Sequence, residues 1–405
     1  MNILFATPYL PAPPNFGGAR RMYELIRGVG QLDTIQTLSL VGPGDAIASA
    51  EMEIGPVIPV PVPVTARMAP DRQRRLAQLR SLASRHSFQY QITHVNRFQA
   101  ALDQLTASGE VHLVQFEFSQ MGSYMVRGIP SVLDVHNIEH DVLRQMAQSG
   151  SPARRLFNQL EYRRFRREEI DAWRRATCCI ATSARDAATI ERQIDRPVPV
   201  IPNGVDLDYF DIPPPSDNRG LEIVFTGAMR YRPNAEGAVW FAEQILPLIQ
   251  RERPDAHFSV VGADPPAAVR ALADRAGVTI TGTVDDVRPW LQAAQIVVVP
   301  LLSGGGTRLK LLEAFASGRP VVSTRIGAEG IDASDNRELL IADEPAAFAH
   351  AVLTLAREPD LRARLTGAAR ELVRARYQWS AISAQLREVH GDVLASFPSK
   401  HHQPR

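Results

Sequence analysis

Short apolar runs alternate with amphipathic stretches along most of the chain. Residues 2–6 (NILFA) and 296–300 (IVVVP) are continuous and rich in aliphatic side chains, which is typical of strands buried on both faces of a sheet. The stretches between such runs, for example 19–29 and 234–250, repeat apolar side chains with the period of a helix. This alternation predicts an α/β protein built from parallel sheets covered by helices.

The alternation is interrupted once and then restarts. Residues 211–220, DIPPPSDNRG, are polar and rich in proline, as expected of a linker. They divide the 405 residues into a first domain over 1–205 and a second over 212–376. Two consecutive β/α domains favour two Rossmann-like parallel sheets that face a central cleft, where a ligand would bind.

One apolar run carries a proline at every second position. In GPVIPVPVPV, residues 55–64, the prolines at 59, 61 and 63 remove N–H donors from one edge only, while Val60, Val62 and Val64 keep theirs. The pattern predicts an edge strand or, failing that, polyproline II.

Residues 296–324, IVVVPLLSGGGTRLKLLEAFASGRPVVST, contain the strongest candidate for a binding site. A buried strand is followed there by a glycine loop, a helix over 307–317 and a second strand over 320–323. Gly318 ends the helix, and Pro320 prevents its continuation. The free N–H groups and the positive end of the helix dipole point into the loop, which suits an anion such as a diphosphate.

Two charged side chains on this helix strengthen the hypothesis. Lys310 and Glu313 are three residues apart and therefore share a helix face. Glu313 lies roughly 10 Å along the axis from the loop, about the distance from a diphosphate to a ribose. The chain has 45 lysines and arginines, but only Lys310 and Lys400 are lysines, which indicates a chemical role for the compact charge of Lys310. The alternative is an ordinary solvated helix face.

The first domain offers two further candidates. Gly17 and Gly18 open a helix after a long proline-rich loop, which favours either an anion or acceptor contact or a plain turn. The stretch DVHNIEH places His136 at the carboxyl end of a parallel strand, where open α/β sheets bind ligands. His136 either serves such a site or caps a loop.

Composition argues against several classes of protein, including nucleic-acid-binding, disulfide-rich and membrane-spanning ones. The formal net charge is +1, which argues against bulk nucleic-acid binding. Cys178 and Cys179 are adjacent, so they form neither a disulfide framework nor a zinc spacing. The first residues, MNILFATPYL, are typical of a first strand and not of a leader, and no apolar run approaches the roughly 20 residues of a membrane span. We therefore expect a cytoplasmic protein.

Two predicted helices are strongly basic. Residues 71–86 and 153–175 are amphipathic, rich in arginine and, in the second case, aromatic. Such helices suit peripheral contact with an anionic inner membrane face, or they are solvated faces with many ion pairs. The acidic residues within 153–175 favour the second interpretation.

Several motifs together resemble those of a known family. The segments are IPNGVD (201–206), PLLSGGGTRLKLLEAFASGRPVVST (300–324) and IGAEGI (326–331). They resemble the family 4 retaining glycosyltransferases, which have the GT-B fold of two Rossmann-like domains. The stretches GAMRYRPNAEG (227–237) and GVTITGTVDDVRPWL (277–291) fit the donor-binding domain of that family. The resemblance covers nearly the whole chain.

The resemblance implies transfer of a sugar from a nucleoside-diphosphate sugar, of the UDP or GDP type, to a hydroxyl of a glycan, a lipid-linked or a small-molecule acceptor. It also implies roles for individual residues. Glu313 would hold the donor ribose, and Lys310 and Arg308 the diphosphate. Further donor contacts would come from Gly305, Gly306, Thr307, Gly227, Arg230, Gly282 and Val284. His136, Gly17 and Gly18 would face the transferred sugar, and a last helix over 379–397 would return to the first domain.

Two departures from the family pattern concern this site. The family has a pair of glutamates eight positions apart, and Gly305 stands where the first is expected. The loop after the first strand of the second domain offers Arg230 and Arg232 where the family often has an Arg and a Lys. We expect Arg308 and Lys310 to supply the missing charge, as in a branch with the motif G-T-R-L-K, so we expect an active variant.

The resemblance implies a mechanism based on positioning and on charge stabilisation. No pair of glycosidase-like catalytic carboxylates is evident. In the family mechanism a donor phosphate oxygen takes the acceptor proton, and the protein stabilises the leaving diphosphate. We expect no metal or other cofactor, because the adjacent Asp285 and Asp286 fit a helix start better than a metal site. The alternatives are a sugar-nucleotide epimerase of the same fold and a non-catalytic sugar-nucleotide-binding partner protein.

Overall fold

The structure is a computed structural model that describes residues 1–14, 17–62, 78, 81–124, 126–146, 152–214, 220–304 and 308–398. The chain forms two compact units. The first contains Met1–Pro202 together with the chain from Ser380 onward, and the second contains Asn203–Trp379. Each unit has one six-stranded parallel sheet, so the α/β prediction with two Rossmann-like sheets is confirmed.

The sheet of the first unit has the strand order β3-β2-β1-β4-β5-β6. This is a doubly wound order, in which the order of strand addition reverses between β1 and β4. The strands are β1 (Asn2–Thr7), β2 (Thr34–Val41), β3 (Val57–Pro61), β4 (Leu113–Glu117), β5 (Ser131–Val135) and β6 (Cys178–Ala181). Every residue of β4 and β5 is buried, which explains their short, nearly continuous apolar runs.

Helices cover both faces of this sheet. They are α1 (Gly17–Gly30), α2 (Ile47–Ile54), α3 (Phe88–Thr93), α4 (Asn96–Ala107), α5 (Glu139–Met146), α6 (Pro152–Arg175), α7 (Ala184–Ile194) and the last helix, α15 (Trp379–Ser396). Ser183 caps the start of α7, since its side chain accepts a hydrogen bond from the Asp186 backbone N–H. α15 packs closely on α1, because a Cβ at Gly28 would lie 2.0 Å from the Ser383 Oγ.

The second unit repeats the arrangement. Its strands are β7 (Glu222–Thr226), β8 (His257–Val261), β9 (Val278–Gly282), β10 (Ile296–Val299), β11 (Val321–Ser323) and β12 (Leu340–Ile341), in the order β12-β11-β10-β7-β8-β9. Its helices are α8 (Arg232–Trp240), α9 (Leu246–Glu252), α10 (Ala267–Arg270), α11 (Arg288–Ala293), α12 (Leu309–Ala316), α13 (Pro345–Arg357) and α14 (Pro359–Arg376). A π-helical turn, Phe241–Ile245, joins α8 to α9.

The proline-bearing run forms an edge strand, as predicted. β3 pairs only with β2, with Ser39 opposite Pro59. The Val62 N–H donates to the Val41 carbonyl at 2.9 Å, so the residues in phase with Val62 face β2. Pro59 and Pro61 therefore turn their donor-free nitrogens to the outer side.

Some local predictions were wrong. The run PVIPN, residues 199–203, has the apolar side chains of a short strand, but it forms only a single bridge, between Ala181 and Val200, because Pro199 and Pro202 cannot donate to a ladder. The predicted helix over 234–250 is divided by the π-helical turn. Most of the predicted basic helix at 71–86 lies outside the described residues. Within the described parts of the chain, no helix is long and apolar enough to cross a membrane.

Two acidic residues of α6 are buried and do not belong to a solvated helix face. Glu161 is buried and accepts a hydrogen bond from the Phe88 N–H at 2.6 Å. Glu169 is also buried and accepts the N–H groups of Glu139 and His140 at 3.1 and 3.0 Å. These two carboxylates therefore fix the starts of neighbouring helices, as capping side chains do.

Candidate active site

Charged side chains meet at the carboxyl edge of the first sheet. Glu117 is the last residue of β4, Asp134 lies in β5, and His136 follows β5 directly. Arg21 reaches them from the second turn of α1, which begins at Gly17. We call Arg21, Glu117, Asp134 and His136 the His136 cluster. The topology thus brings His136 and the N-terminus of α1 to the same edge of the sheet.

The His136 cluster is buried and closely paired. Its four side chains belong to residues that are at most 6% exposed. Arg21 donates to both oxygens of Asp134, from Nε at 2.8 Å and from Nη2 at 3.1 Å. The His136 Nε2 lies 2.8 Å from the Glu117 Oε2 and 3.8 Å from the Asp134 Oδ2. Burial and the Asp134 charge raise the pKa of Glu117, while His136 and Arg21 oppose that shift.

The same geometry resembles a metal site at first sight. Ligand atoms of Glu117, Asp134 and His136 lie within 4.8 Å of one another. However, both oxygens of Asp134 already accept hydrogen bonds from Arg21, whose guanidinium supplies the positive charge that a metal ion would bring. We therefore interpret the cluster as an ion-pair network around His136. The expectation that no metal is needed stays a prediction.

The His136 ring is held from several sides. The Phe118 ring stacks on it with centroids 3.8 Å apart, and Phe118 has the unusual positive φ of 69°. The Thr182 Oγ1 donates to the His136 carbonyl at 3.3 Å. If His136 only capped a loop, its imidazole would hydrogen-bond to backbone groups. The described contacts of this imidazole are instead with carboxylates and an aromatic ring. His136 is therefore an oriented side chain.

In the second unit, the Lys310 side chain extends from α12 to the start of α8. Its Nζ donates to the Asn234 Oδ1 at 2.7 Å and lies 5.2 Å from the centroid of the Phe225 ring. Asn234 in turn donates to the Ala228 carbonyl at 2.9 Å. Gly227, with a φ of 150°, makes room for this contact, because a Cβ there would lie 2.9 Å from the Lys310 Nζ.

The environment of Lys310 changes its ionisation. Burial, together with the nearby Arg308 charge, lowers the pKa of Lys310 to about 7, and Glu313 opposes the shift. A lysine on a solvated helix face would keep its ordinary pKa of 10.5 and would contact water. Lys310 donates to Asn234 instead, so the interpretation of this helix face as a solvated one does not describe Lys310. Glu313 lies near enough to Lys310 to stabilise the ammonium form, and its side chain is half-buried.

The neighbouring basic residues have different surroundings. Arg308 is 5% exposed and donates to the Ile326 carbonyl from Nη2 at 3.2 Å, which connects the start of α12 to the IGAEGI segment. Arg230 pairs with Asp264 at 2.9 Å, and both side chains are exposed. Gly305, Gly306 and Thr307 lie outside the described residues.

The loop after β9 contains the other candidates. Gly282 has a φ of 69°, and no atom lies within 4 Å of a Cβ built there, so the backbone is open to a ligand. Val284 packs against the core of the unit. Asp286 accepts the Arg288 N–H at 2.9 Å at the start of α11, as predicted for a helix start. Tyr209 lies beside this loop, because its hydroxyl donates to Asp286 at 3.3 Å.

Several residues of these sites were missed in the sequence. Glu117 and Asp134 lie inside the buried runs LVQFE and SVLDV, and a carboxylate in such a run is a signal in itself. Arg21 and Asn234 gave no comparable signal, because their partners are remote in the chain.

Family models match both units. Residues 17–209 match the model described as Glycosyltransferase Family 4, and residues 220–358 match the model described as Glycosyl transferases group 1. The first match includes His136 and Glu117, and the second includes Lys310, Glu313 and Gly227.

Individual relatives are more distant. A phosphatidyl-myo-inositol mannosyltransferase of Mycolicibacterium smegmatis is 32% identical over 207 residues, which are 48% of this chain and 51% of the relative. An uncharacterized 44.6 kDa protein in the cps region of Klebsiella pneumoniae is 25% identical over 154 residues, which are 36% of this chain and 38% of the relative. The chain thus spans about half, or less, of the length of these curated relatives.

Solved structures share the fold. Sucrose-phosphate synthase from Thermosynechococcus elongatus has a TM-score of 0.72 at 17% identity, covering 98% of this chain and 100% of that one. HepE of Anabaena, solved in complex with UDP, has a TM-score of 0.66 at 15% identity, covering 97% of this chain and 100% of that one. These neighbours have the GT-B fold, which confirms the predicted fold class. By its sequence matches, the chain carries a Glycosyltransferase Family 4 domain followed by a domain of the glycosyl transferases group 1.

Proposed function

We propose that the protein is a retaining glycosyltransferase that moves a sugar from a nucleoside-diphosphate sugar to an acceptor hydroxyl. One observation carries the proposal: the Lys310 Nζ lies beside Gly227 at the carboxyl edge of the second sheet, with Glu313 one turn further along the same helix. The family matches support the reaction class. The UDP bound to HepE supports a nucleotide-linked donor, and the mannosyltransferase named among the relatives supports sugar transfer.

The second unit binds the nucleotide in this proposal. Lys310 and Arg308 neutralise the diphosphate, together with the N–H groups of residues 305–307. Glu313 accepts hydrogen bonds from the ribose hydroxyls, because a carboxylate is the acceptor that suits a vicinal diol. The base lies against the open backbone at Gly282 and the apolar side chain of Val284.

Lys310 compensates for the departures from the family pattern. Asn234, in the first turn of α8, supplies no charge, yet the Lys310 Nζ reaches it from α12 and lies beside Gly227 in the loop after β7. Arg230 is paired with Asp264, so its charge is already compensated. Lys310 can provide the positive charge for the diphosphate in its place. We assign the chain to a branch in which the glutamate expected at Gly305 is absent and Lys310 binds the diphosphate.

The first unit acts on the sugar. His136 contacts a hydroxyl of the transferred sugar, and the backbone at Gly17 and Gly18 opens α1 at the same edge of the sheet. The bond between the anomeric carbon and the diphosphate breaks, and a bond to the acceptor oxygen forms on the same face. The acceptor proton passes to a donor phosphate oxygen, and the nucleoside diphosphate leaves. Lys310 stabilises the growing charge on that diphosphate, and no metal or other cofactor takes part.

The acceptor is a hydroxyl of a glycan, a lipid-linked or a small molecule. α6 presents exposed arginines together with Leu156, which is 65% exposed. This surface suits peripheral contact with an anionic membrane face, where a lipid-linked acceptor would lie. We propose a cytoplasmic location at or near that face.

Ligand binding tests the nucleotide part of this proposal. UDP, GDP, ADP and dTDP are compared by thermal shift with the wild type and with Lys310→Ala. A diphosphate at about 100 times its dissociation constant adds roughly 2.7 kcal/mol to the free energy of unfolding, so one nucleotide should stand out. That shift should be largely lost in the variant. Stabilisation by none of the four nucleotides would contradict the proposal.

Product analysis then separates the function classes. The matching donor is incubated with and without a panel of sugar and lipid-linked acceptors, and the anomeric configuration of the product is read by NMR. Transfer with retention supports the proposal. Conversion of the donor sugar without an acceptor would indicate an epimerase, and nucleotide binding without turnover would indicate a binding partner.

A further inference from the structure

A chain of buried hydrogen bonds runs from the last helix to His136. His390 on α15 lies with its Nε2 2.6 Å from the Gln115 Oε1. Gln115 donates from Nε2 to the Glu117 Oε1 at 2.7 Å, and the Glu117 Oε2 faces the His136 Nε2 at 2.8 Å. His390, Gln115 and Glu117 are each 0% exposed. We call these four side chains the buried chain.

The hydrogen positions along the buried chain follow from its chemistry. When Glu117 is ionised, the form that His136 and Arg21 favour, the Gln115 amide must turn its nitrogen to Glu117, because the reverse orientation would place two acceptor oxygens 2.7 Å apart. Its Oε1 can then only accept, so the His390 Nε2 carries a hydrogen. Burial lowers the pKa of His390 to about 4, so the ring is neutral and its Nδ1 carries no hydrogen. That Nδ1 is buried without a partner among the described residues, which is consistent with this tautomer.

The consequence at His136 is a defined tautomer. The Glu117 Oε1 is occupied by the Gln115 amide hydrogen, which leaves Oε2 to accept from His136. The Asp134 Oδ2 lies 3.8 Å from the same nitrogen, beyond hydrogen-bonding distance, and accepts from Arg21 instead. Because the Glu117 Oε2 accepts on this side, the His136 Nε2 carries a hydrogen. No described contact uses the Nδ1 of His136.

We propose that Glu117 is a positioning residue, oriented through Gln115 by His390, that keeps the His136 proton on Nε2 and so presents Nδ1 to a sugar hydroxyl as a hydrogen-bond acceptor. The identity of that ligand rests on the proposed function, whereas the tautomer does not. A ring nitrogen that carries no hydrogen accepts from a hydroxyl donor and discriminates against an anion.

Packing alone does not account for the buried chain. α15 is already held on the first unit by its buried apolar side chains and by the close approach at Gly28. Apolar side chains in place of His390 and Gln115 would hold it at least as well, because buried polar networks pay a desolvation cost. The polar contacts instead give the Glu117 carboxylate one fixed orientation, and this is what His136 requires.

The test uses the full-length protein without ligand. Two-dimensional 15N–1H spectra report the tautomer of each histidine ring, and loss of one signal set in His136→Gln identifies His136. We expect a proton on Nε2 in the wild type. In Glu117→Gln the carboxylate is replaced by an amide that can donate or accept, so we expect a mixture of tautomers. A wild-type proton on Nδ1, or an unchanged spectrum in Glu117→Gln, would overturn the proposal.

Variants at the far end of the buried chain exclude a merely structural effect. His390→Phe removes the donor to Gln115 and should shift His136 toward the mixed state, whereas His390→Gln restores a donor and should restore the wild-type signal. Thr37→Val is the matched control, since Thr37 is equally buried in the same sheet and lies outside the buried chain. An unaltered His136 signal in a folded His390→Phe variant would remove His390 from the proposal.

Activity provides a second readout. In Glu117→Gln we expect sugar transfer to slow by on the order of 10- to 100-fold, as when a group at a reacting centre loses its orientation. Nucleoside-diphosphate affinity should change less than about twofold, because its binding groups belong to the second unit. Unchanged transfer despite the altered tautomer would refute the role of Glu117. An absence of transfer in the wild type, with the expected tautomer present, would refute the proposed function alone.

Discussion

Nucleotide binding should draw a proton onto Lys310. Burial and Arg308 lower the pKa of Lys310 from its ordinary value of 10.5 to about 7. Near pH 7, about half of the free protein therefore carries a neutral amine at Nζ. A diphosphate beside this atom favours the ammonium form and raises its pKa. Binding and protonation are consequently coupled.

The magnitude follows from the pKa. At about 1.36 kcal/mol per pKa unit, the environment of Lys310 destabilises its ammonium form relative to the neutral amine by about 5 kcal/mol. Binding should take up about half a proton at pH 7 and nearly one at pH 8.5. The charged fraction of the free protein falls from about one half at pH 7 to about 1% at pH 9, so the apparent dissociation constant should rise about 50-fold.

Calorimetry measures this coupling directly. The preferred nucleoside diphosphate is titrated at pH 7.0 and 8.5 in two buffers with different heats of ionisation, and the difference in heat gives the number of protons taken up. Lys310→Arg is the matched control, because arginine is charged at both pH values and should bind without proton uptake. Equal heats in the two buffers at pH 8.5, or the same proton uptake in Lys310→Ala, would refute the reasoning.

Three further predictions concern the same unit. Glu313→Gln should weaken nucleotide binding by about 10- to 100-fold with little change in kcat, as expected for the loss of a charge-assisted contact that does not change during the reaction. The exposed Glu252→Gln serves as control, and normal nucleotide affinity in Glu313→Gln would exclude the ribose role. Gly227→Ala should displace the Lys310 ammonium and weaken binding as much as Lys310→Ala, whereas Gly367→Ala, at a helical site with open space, should bind normally. Transfer should continue in excess EDTA, and a loss of turnover that magnesium or manganese restores would show that a metal is required.

The parts predicted from the sequence are those with a local signal. Buried parallel strands such as Asn2–Thr7 and Ile296–Val299 are short apolar runs, so the alternation with helices was visible. The Lys310–Asn234 contact joins residues 76 positions apart, and the His390–Gln115 contact joins residues 275 apart. No periodicity encodes which distant polar groups will meet, because the sheet order decides it.

One helix that was not predicted does have a recognisable capping residue in the sequence. α3 was not predicted, although Ser87 accepts the Tyr90 N–H at 3.1 Å in the manner of an ordinary N-cap. The helix is only six residues long, so its apolar periodicity is too short to recognise. The run 199–203 shows the opposite case, since its apolar side chains are typical of a strand, but the missing donors of its two prolines limit it to a bridge at Val200.

The prolines of β3 also determine how the molecule behaves next to its own copies. The outer margin of a terminal strand normally offers a row of donors and acceptors, which invites another chain to extend the sheet. At Pro59 and Pro61 that margin has no N–H donors, so an incoming strand would leave its own carbonyls unpaired there. The β3 edge of the first sheet is therefore a poor template for pairing with a strand of a second copy of the chain.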